Sequence, residues 1–293
     1  MPSATRTQSM QPKELIAMSE KQLRILVFGA HPDDCDVRFG GMALKYRALG
    51  HQVKFISMTN GDTGHFSMGG GPLARRRYAE AQASAAIADI EYEIYDIHNG
   101  ELQADVATRK QVICSIRNYK PDLVACHRAN DYHPDHRAVG QLVQDSIYVI
   151  GVPNVAPLTE PLRYSPVLAY LFDRFTEPSP YRPDIAVDID DVVETVIDMV
   201  GCHVSQFFEW LPYDGGTLDE VPEGEADRRA WLAERLKARF AGVADNCREA
   251  LIRLYGKERG SAVKCAEGLM ISEYGRRPSP EEIRVLFPFL PNV

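Results

Sequence analysis

The sequence has no apolar run approaching the roughly 18 residues that a membrane-spanning helix needs, so no transmembrane segment is expected. Residues 1–20 lack both an unbroken apolar core and a small-residue cleavage site, which argues against a secretory signal and leaves a loosely ordered tail as the expectation. A basic excess is missing too. Lys and Arg number 33 against 41 Asp and Glu, a net charge of −8, and nucleic-acid binding is driven by neutralising phosphates. Six cysteines stand at Cys35, Cys114, Cys126, Cys202, Cys247 and Cys265, and no two of them form a C-x-x-C pair. Neither a disulfide framework nor a cysteine-held zinc is expected, and reduced thiols in a cytoplasmic protein are the plain reading. The dinucleotide fingerprint G-x-G-x-x-G is also absent after the first strand; Asp33, Asp34 and Asp36 stand there instead and would repel a pyrophosphate.

What is present is an ordinary globular composition, 45% hydrophobic and 25% charged, long enough for one large α/β domain. Leu23–Ala30 is a continuous apolar run of strand length, as in a strand buried on both faces. A helix over Met42–Leu49, a strand over Gln52–Met58, a helix over Ala74–Ala88 and a strand over Tyr92–Tyr95 follow. Further on, a helix is expected over Ala104–Asn118, a strand over Pro121–Cys126 and a helix from Pro134. This alternation predicts a Rossmann-like, mostly parallel sheet with helices on both faces, whose ligands sit beyond the carboxyl ends of the strands. In the second half, Val167–Phe172 and Ile185–Ile189 read as strands. Val192–Val204 reads as a helix opened by Asp188, Asp190 and Asp191. An acidic surface loop over Asp214–Glu225 precedes helices near Asp227–Phe240 and Ala244–Tyr255, and Ser279 with Glu282 forms a capping box for a last helix. The organisation predicted is a tail (1–20), an α/β domain (21–206) and a mainly helical extension (207–293) packed on the same domain.

Two segments carry the chemistry: Ala30-His31-Pro32-Asp33-Asp34 at the end of the first strand, and His133-Pro134-Asp135-His136 at the end of the loop that follows the Pro121–Cys126 strand. Catalytic zinc takes three ligands from His, Asp and Glu and leaves a position for water; His31, Asp34 and His136 satisfy that count. Asp33, beside a ligand, is the candidate base, and His133 the candidate oxyanion stabiliser or acid. Pro134 suits a first helical position, which puts His133 at the N-cap and His136 in the first turn, where the helix dipole disfavours imidazolium. Taken singly, His-Pro is a turn, H-x-x-H is a weak signal, and the paired aspartates could merely cap a helix. Their coincidence at two strand ends is what points to a metal.

This pair of motifs resembles the LmbE-like (PIG-L) zinc N-deacetylases, over roughly Leu23 to Gln206. The resemblance implies zinc held by His31, Asp34 and His136, Asp33 as general base and His133 as the second active-site histidine. It further implies removal of an acetyl group from an N-acetylglucosamine-type small conjugate; an amidase of a larger thiol-linked conjugate and a non-catalytic binding protein on this fold are the alternatives. Arg77 and Glu80 resemble the family's R-x-x-E element, whose arginine contacts substrate, and His203-Val204-Ser205-Gln206 its H-x-S-Q element. Departures are Asn99-Gly100-Glu101-Leu102 where many members read D-G-x-L, which makes Asn99 a substrate-contact candidate, and Asp131 where some carry a mobile tyrosine. The Gly61–Gly71 loop, which contains His65, has a lid's flexibility; His51, His98 and His127 have no evident partner. The expected partner is a small amino-sugar conjugate, with no nucleic acid and no membrane span, and a homo-oligomer is left open.

Overall fold

The computed structural model describes residues 21–291. Seven strands form one sheet in the order β3-β2-β1-β4-β5-β7-β6. They are β1 (Arg24–Gly29), β2 (Gln52–Ser57), β3 (Glu91–Ile94), β4 (Leu123–Cys126), β5 (Val167–Leu171), β6 (Ile185–Asp188) and β7 (Ala266–Ile271). The first five pair in parallel, and β7 runs antiparallel to both neighbours. The apolar run predicted as the first strand is β1, at the centre, where alternate residues feed opposite cores. Ile25 and Val27 face one cluster with Phe39, Phe55 and Val196; Leu26 and Phe28 face the other with Ile113, Val139 and Val143. Burial on both faces is why this strand reads as continuous rather than alternating.

Helices α1 (Asp34–Ala48), α2 (Gly71–Ala88) and α5 (Val193–Gly201) cover one face; α3 (Val106–Tyr119) and α4 (Pro134–Val149) cover the other. The helix predicted over Met42–Leu49 begins two turns earlier, at Asp34. Asp34 and Asp36 in its first turn suit the positive helix end. The glycines that hide this stretch have a packing reason: a Cβ on Gly41 would fall 2.5 Å from Ile189 Cγ2. The carboxylates expected to open α5 do other work. Val192 is its N-cap, without a side-chain hydrogen bond, while Asp190 accepts from the backbone N–H groups of Lys264 (3.1 Å) and Cys265 (2.7 Å), steering the chain into β7.

Past α5 the chain runs through a π-helical stretch (Ser205–Trp210) into α6 (Leu211–Asp214), then α7 (Glu225–Asn246), α8 (Arg248–Tyr255), α9 (Lys257–Ala262), β7 and α10 (Pro280–Leu286). The C-terminal part is thus helical as expected, with one addition: it supplies β7, which the sequence pattern did not announce. The predicted capping box on Ser279 and Glu282 is present. All six cysteines are free. The expected tail lies outside the described residues.

Strand order sets the location of the site. From β1 the chain winds outward through β2 to β3, then crosses back to place β4 on the other side of β1. The crevice beyond β1 and β4 is therefore the switch point where such sheets bind ligands. Both sequence motifs open onto it.

Candidate active site and metal centre

His31 follows β1 directly, and His136 stands in the first turn of α4. His31 Nδ1, Asp34 Oδ2 and His136 Nε2 lie 3.3, 3.4 and 3.3 Å from one another, taken in the order His31–Asp34, Asp34–His136 and His136–His31. Donors about 2.0–2.1 Å from a tetrahedral ion are spaced about 3.3–3.4 Å apart, so these atoms match three corners of such a shell. The structure therefore brings together the three residues that the sequence nominated. Asp34 is fixed for this task, because its Oδ2 also accepts the N–H groups of Ala30 (3.1 Å) and His31 (2.9 Å).

Each imidazole is braced from behind. His31 Nε2 meets Asp135 Oδ2 at 3.2 Å, and His136 Nδ1 lies 3.1 Å from Asp131 Oδ1. A carboxylate on the far ring nitrogen is how metal-binding histidines are oriented and made more basic. Asp135 is itself held by the N–H groups of Gly100 (2.6 Å) and Leu102 (3.2 Å), which ties the Asn99–Leu102 turn to the site. These roles for Asp131 and Asp135 were not foreseen, and neither carboxylate serves the His133 ring closely. Asp135 is 4.0 Å from His133 Nδ1, and Asp131 meets only the His133 backbone N–H, at 3.0 Å.

The electrostatics of the cluster favour positive charge. Burial opposes charge on His31, but Asp135 and Asp34 outweigh it and push its pKa up to about 9. His136 is raised in the same way: burial lowers it, and Asp34 and Asp131 more than compensate. Burial works against ionised Asp34 as well, yet its imidazole neighbours, His136 foremost, hold its carboxyl well below the usual range. Three carboxylates converge on two imidazoles, an arrangement suited to a divalent ion.

His127 directly follows β4 and was unassigned from sequence. Its ring stacks on His136, with centroids 4.1 Å apart, and its Nε2 lies 3.3 Å from Asp34 Oδ2. Burial pushes its pKa down to about 3, with the His136 charge adding to the effect. A neutral ring thus lines the back of the cluster.

His133 is the N-cap predicted, and its Nδ1 accepts the Asp135 N–H at 3.2 Å. With Nδ1 an acceptor, the neutral ring carries its proton on Nε2. Burial and the neighbouring charges of His31 and His136 lower its pKa. Asp33 goes the other way: burial and the Asp34 charge raise its pKa, against His203, His31 and Arg77.

Residues 26–147 match the family described as PIG-L: GlcNAc-PI de-N-acetylase. The chain is also 31% identical over 203 residues to diacetylchitobiose deacetylase of Thermococcus kodakarensis, an alignment covering 65% of this chain and 74% of that protein. The chain belongs to the PIG-L family. Membership puts it among deacetylases, hydrolases that act on an amide bond. The structure of N,N'-diacetylchitobiose deacetylase from Pyrococcus horikoshii shares the fold, with a TM-score of 0.67 at 21% identity, covering 90% of this chain and 94% of that one. A 4-oxalmesaconate hydratase of Pseudomonas putida is 24% identical over 243 residues, covering 78% of this chain and 94% of that protein. Among the described residues, no helix is long and apolar enough to cross a membrane.

The other two PIG-L-like elements clasp one another. Arg77 is buried, and its Nη2 donates to the Gly64 carbonyl (2.6 Å) and to Gln206. Glu80 accepts from the Ser205 N–H (2.9 Å) and hydroxyl (2.6 Å). His203 meets Asp36, 3.2 Å away. Pro32, Asp33 and Arg77 line a small pocket with Glu80, His203, Ser205 and Gln206, so the clasp forms the wall behind Asp33. Asn99 spends its amide N–H on Thr63 Oγ1 (2.8 Å) and leaves Oδ1 without a partner. The remaining histidines do have partners: His51 accepts the Leu23 N–H, His98 meets Asp62 at 2.6 Å, and His65 meets Glu209 at 2.8 Å. Glu209 also takes a two-pronged contact from Arg76, so the glycine-rich loop is latched to the π-helical stretch.

Proposed function

We propose that this PIG-L protein is a zinc-dependent hydrolase that removes the acetyl group from the nitrogen of an N-acetylglucosamine-type small conjugate. One observation carries the reading: three donor atoms at tetrahedral spacing, with both imidazoles braced by carboxylates. Zinc, when bound by His31, Asp34 and His136, supplies Lewis acidity that acidifies water and polarises the acetyl carbonyl. Asp33 takes the proton from the attacking water; its raised pKa makes it a better base than an ordinary aspartate. His133 aims a neutral Nε2–H at the oxygen on which charge develops, so oxyanion stabilisation, rather than donation by an imidazolium, is its role. The C–N bond then breaks, the amine leaves with the proton collected by Asp33, and acetate remains. Arg77 shapes the wall behind Asp33, and Asn99, whose Oδ1 is buried without a partner, stands next to Gly100 in the turn that holds Asp135 and borders the substrate from there.

Zinc content of the purified protein, with His136→Ala as control, and acetate release from N-acetylated sugars test the reading together. Near-stoichiometric zinc, lost in the variant along with acetate release, is the expected result. Equal acetate release with and without a strong chelator would overturn it. His133→Ala should keep its zinc and lose about 10²–10³ in kcat, the usual cost of an oxyanion donor; a change in KM alone would contradict the role given to His133.

A further inference from the structure

Three arginines gather at one edge of the site. Arg38 lies one turn along α1 from Asp34, with Nε 3.7 Å from Asp34 Oδ1, and its Nη1 donates to the Phe172 carbonyl at 2.7 Å. Two residues past Phe172, Arg174 reaches across to α7. A Cβ on Gly242 would fall 2.6 Å from Arg174 Nη2, so the guanidinium lies where a side chain on the helix would have been. Arg239 is three residues before Gly242, on the same face of α7. Its surroundings fix its place. The protein crowded around it and the Arg38 charge hold its pKa down to about 10, with Arg174 adding to the effect, while Asp34 and Asp33 pull it back up. Arg239 is thus close enough to feel both the proposed base and a proposed metal ligand.

Most arginines around the site are committed: Arg76 to Glu209, Arg77 to Gln206, Arg128 to Asp173. Arg174 and Arg239 differ. Neither has a hydrogen-bond or ion-pair partner among the described residues, and both remain open to solvent. Like charges held together without a counterion repel one another, and a chain with net charge −8 has carboxylates enough to have paired them. Guanidinium groups suit carboxylate or phosphate oxygens, which they can grip two at a time.

Resting on the deacetylase reading, we propose that the substrate carries an anionic group, a carboxylate or a phosphate, and that Arg174 and Arg239 bind it while Asp33 and the metal face the acetamido end. Arg38, anchored to the Phe172 carbonyl, spaces the two ends. The C-terminal part of the chain would then choose the substrate and leave the hydrolytic chemistry to the motifs after β1 and β4.

Calorimetric titration tests this on the full-length, zinc-loaded chain carrying Asp33→Asn to arrest turnover. The probes are N-acetylglucosamine, its 1- and 6-phosphates, and N-acetylmuramic acid, which carries a carboxylate. At least one anionic probe should bind about tenfold or more tightly than the neutral sugar, the worth of one charge-assisted contact. Arg174→Ala and Arg239→Ala, with circular dichroism as a folding check, should each remove most of that preference, and Arg239→Lys should restore part of it. The phosphates and the carboxylate as separate arms decide which anion is preferred. Equal binding of charged and neutral probes overturns the proposal. So does a preference that survives both alanine variants, which would place the anion on the metal. Acetate release by the chain with Asp33 intact is followed separately. Its absence from every probe while the arginine-dependent preference persists would sink the deacetylase reading and leave the anion site standing.

Discussion

Asp131 occupies a position where some proteins with this motif carry tyrosine, and its carboxylate lies 3.1 Å from Nδ1 of His136. Replacing it by asparagine removes the charge and keeps the shape. Asp131→Asn should weaken zinc binding by about 10–100-fold, the usual cost of losing a group that orients a ligand. Competition with a chelator of known affinity measures this; unchanged affinity would mean that the carboxylate does not tune His136. At this scale the sequence was informative about His31, Asp34 and His136, because one short motif abuts a strand end and the other closes the loop that leaves the neighbouring strand. It was silent on which carboxylate faces which imidazole. Asp135 is a neighbour of His136 in sequence but serves His31, because the turn of α4 points it there. The roles of Arg174 and Arg239 were equally hidden, since nothing local links β5 to α7.

Among the elements, the loop after α4 depends on a single side chain. Arg117, on α3 and essentially fully buried, donates to the carbonyls of Val149, Ile150, Val152, Val155, Ala156 and Thr159. Arg117→Met would leave those acceptors short of donors inside the protein, and a loss of at least about 3 kcal/mol is expected in urea unfolding. A loss below 1 kcal/mol would show that water replaces the guanidinium there.

Glu267 joins β7 to α1 in a similar way, accepting the N–H groups of Gly41 and Met42, both at 2.8 Å. Burial pushes its pKa from the ordinary 4.5 up to about 7, against those two hydrogen bonds. Between these pH values the folded state holds a proton that the unfolded chain has released, so stability falls as pH rises through the window and levels off above it. The fall should be on the order of 3 kcal/mol, and Glu267→Gln should flatten it. Unfolding curves at pH 5 and pH 8 for both proteins check this; parallel slopes would assign the pH dependence to another group.

For the molecule as a whole, the parallel half of the sheet was readable because strand and helix periods alternate and each βαβ unit closes on near neighbours. The antiparallel half was not. β7 pairs with β5 across roughly one hundred residues and with β6 across roughly eighty, and no local pattern encodes such a partner. Its lead-in is set by Asp190, whose carboxylate reads from sequence as part of a helix start.

The late arrival of β7 also bears on biosynthesis. A ribosome delivers β5 and β6 long before residues 266–271 exist, so the growing chain holds β5 as a bare edge and β6 with no neighbour on the sheet. Bare edges invite pairing with other chains. Stalled translation products that stop short of Ala266 should therefore be cut by protease readily and recruit chaperones, whereas products extended past Ile271 should resist. Equal resistance on the two sides of that boundary would mean that the first five strands are self-sufficient.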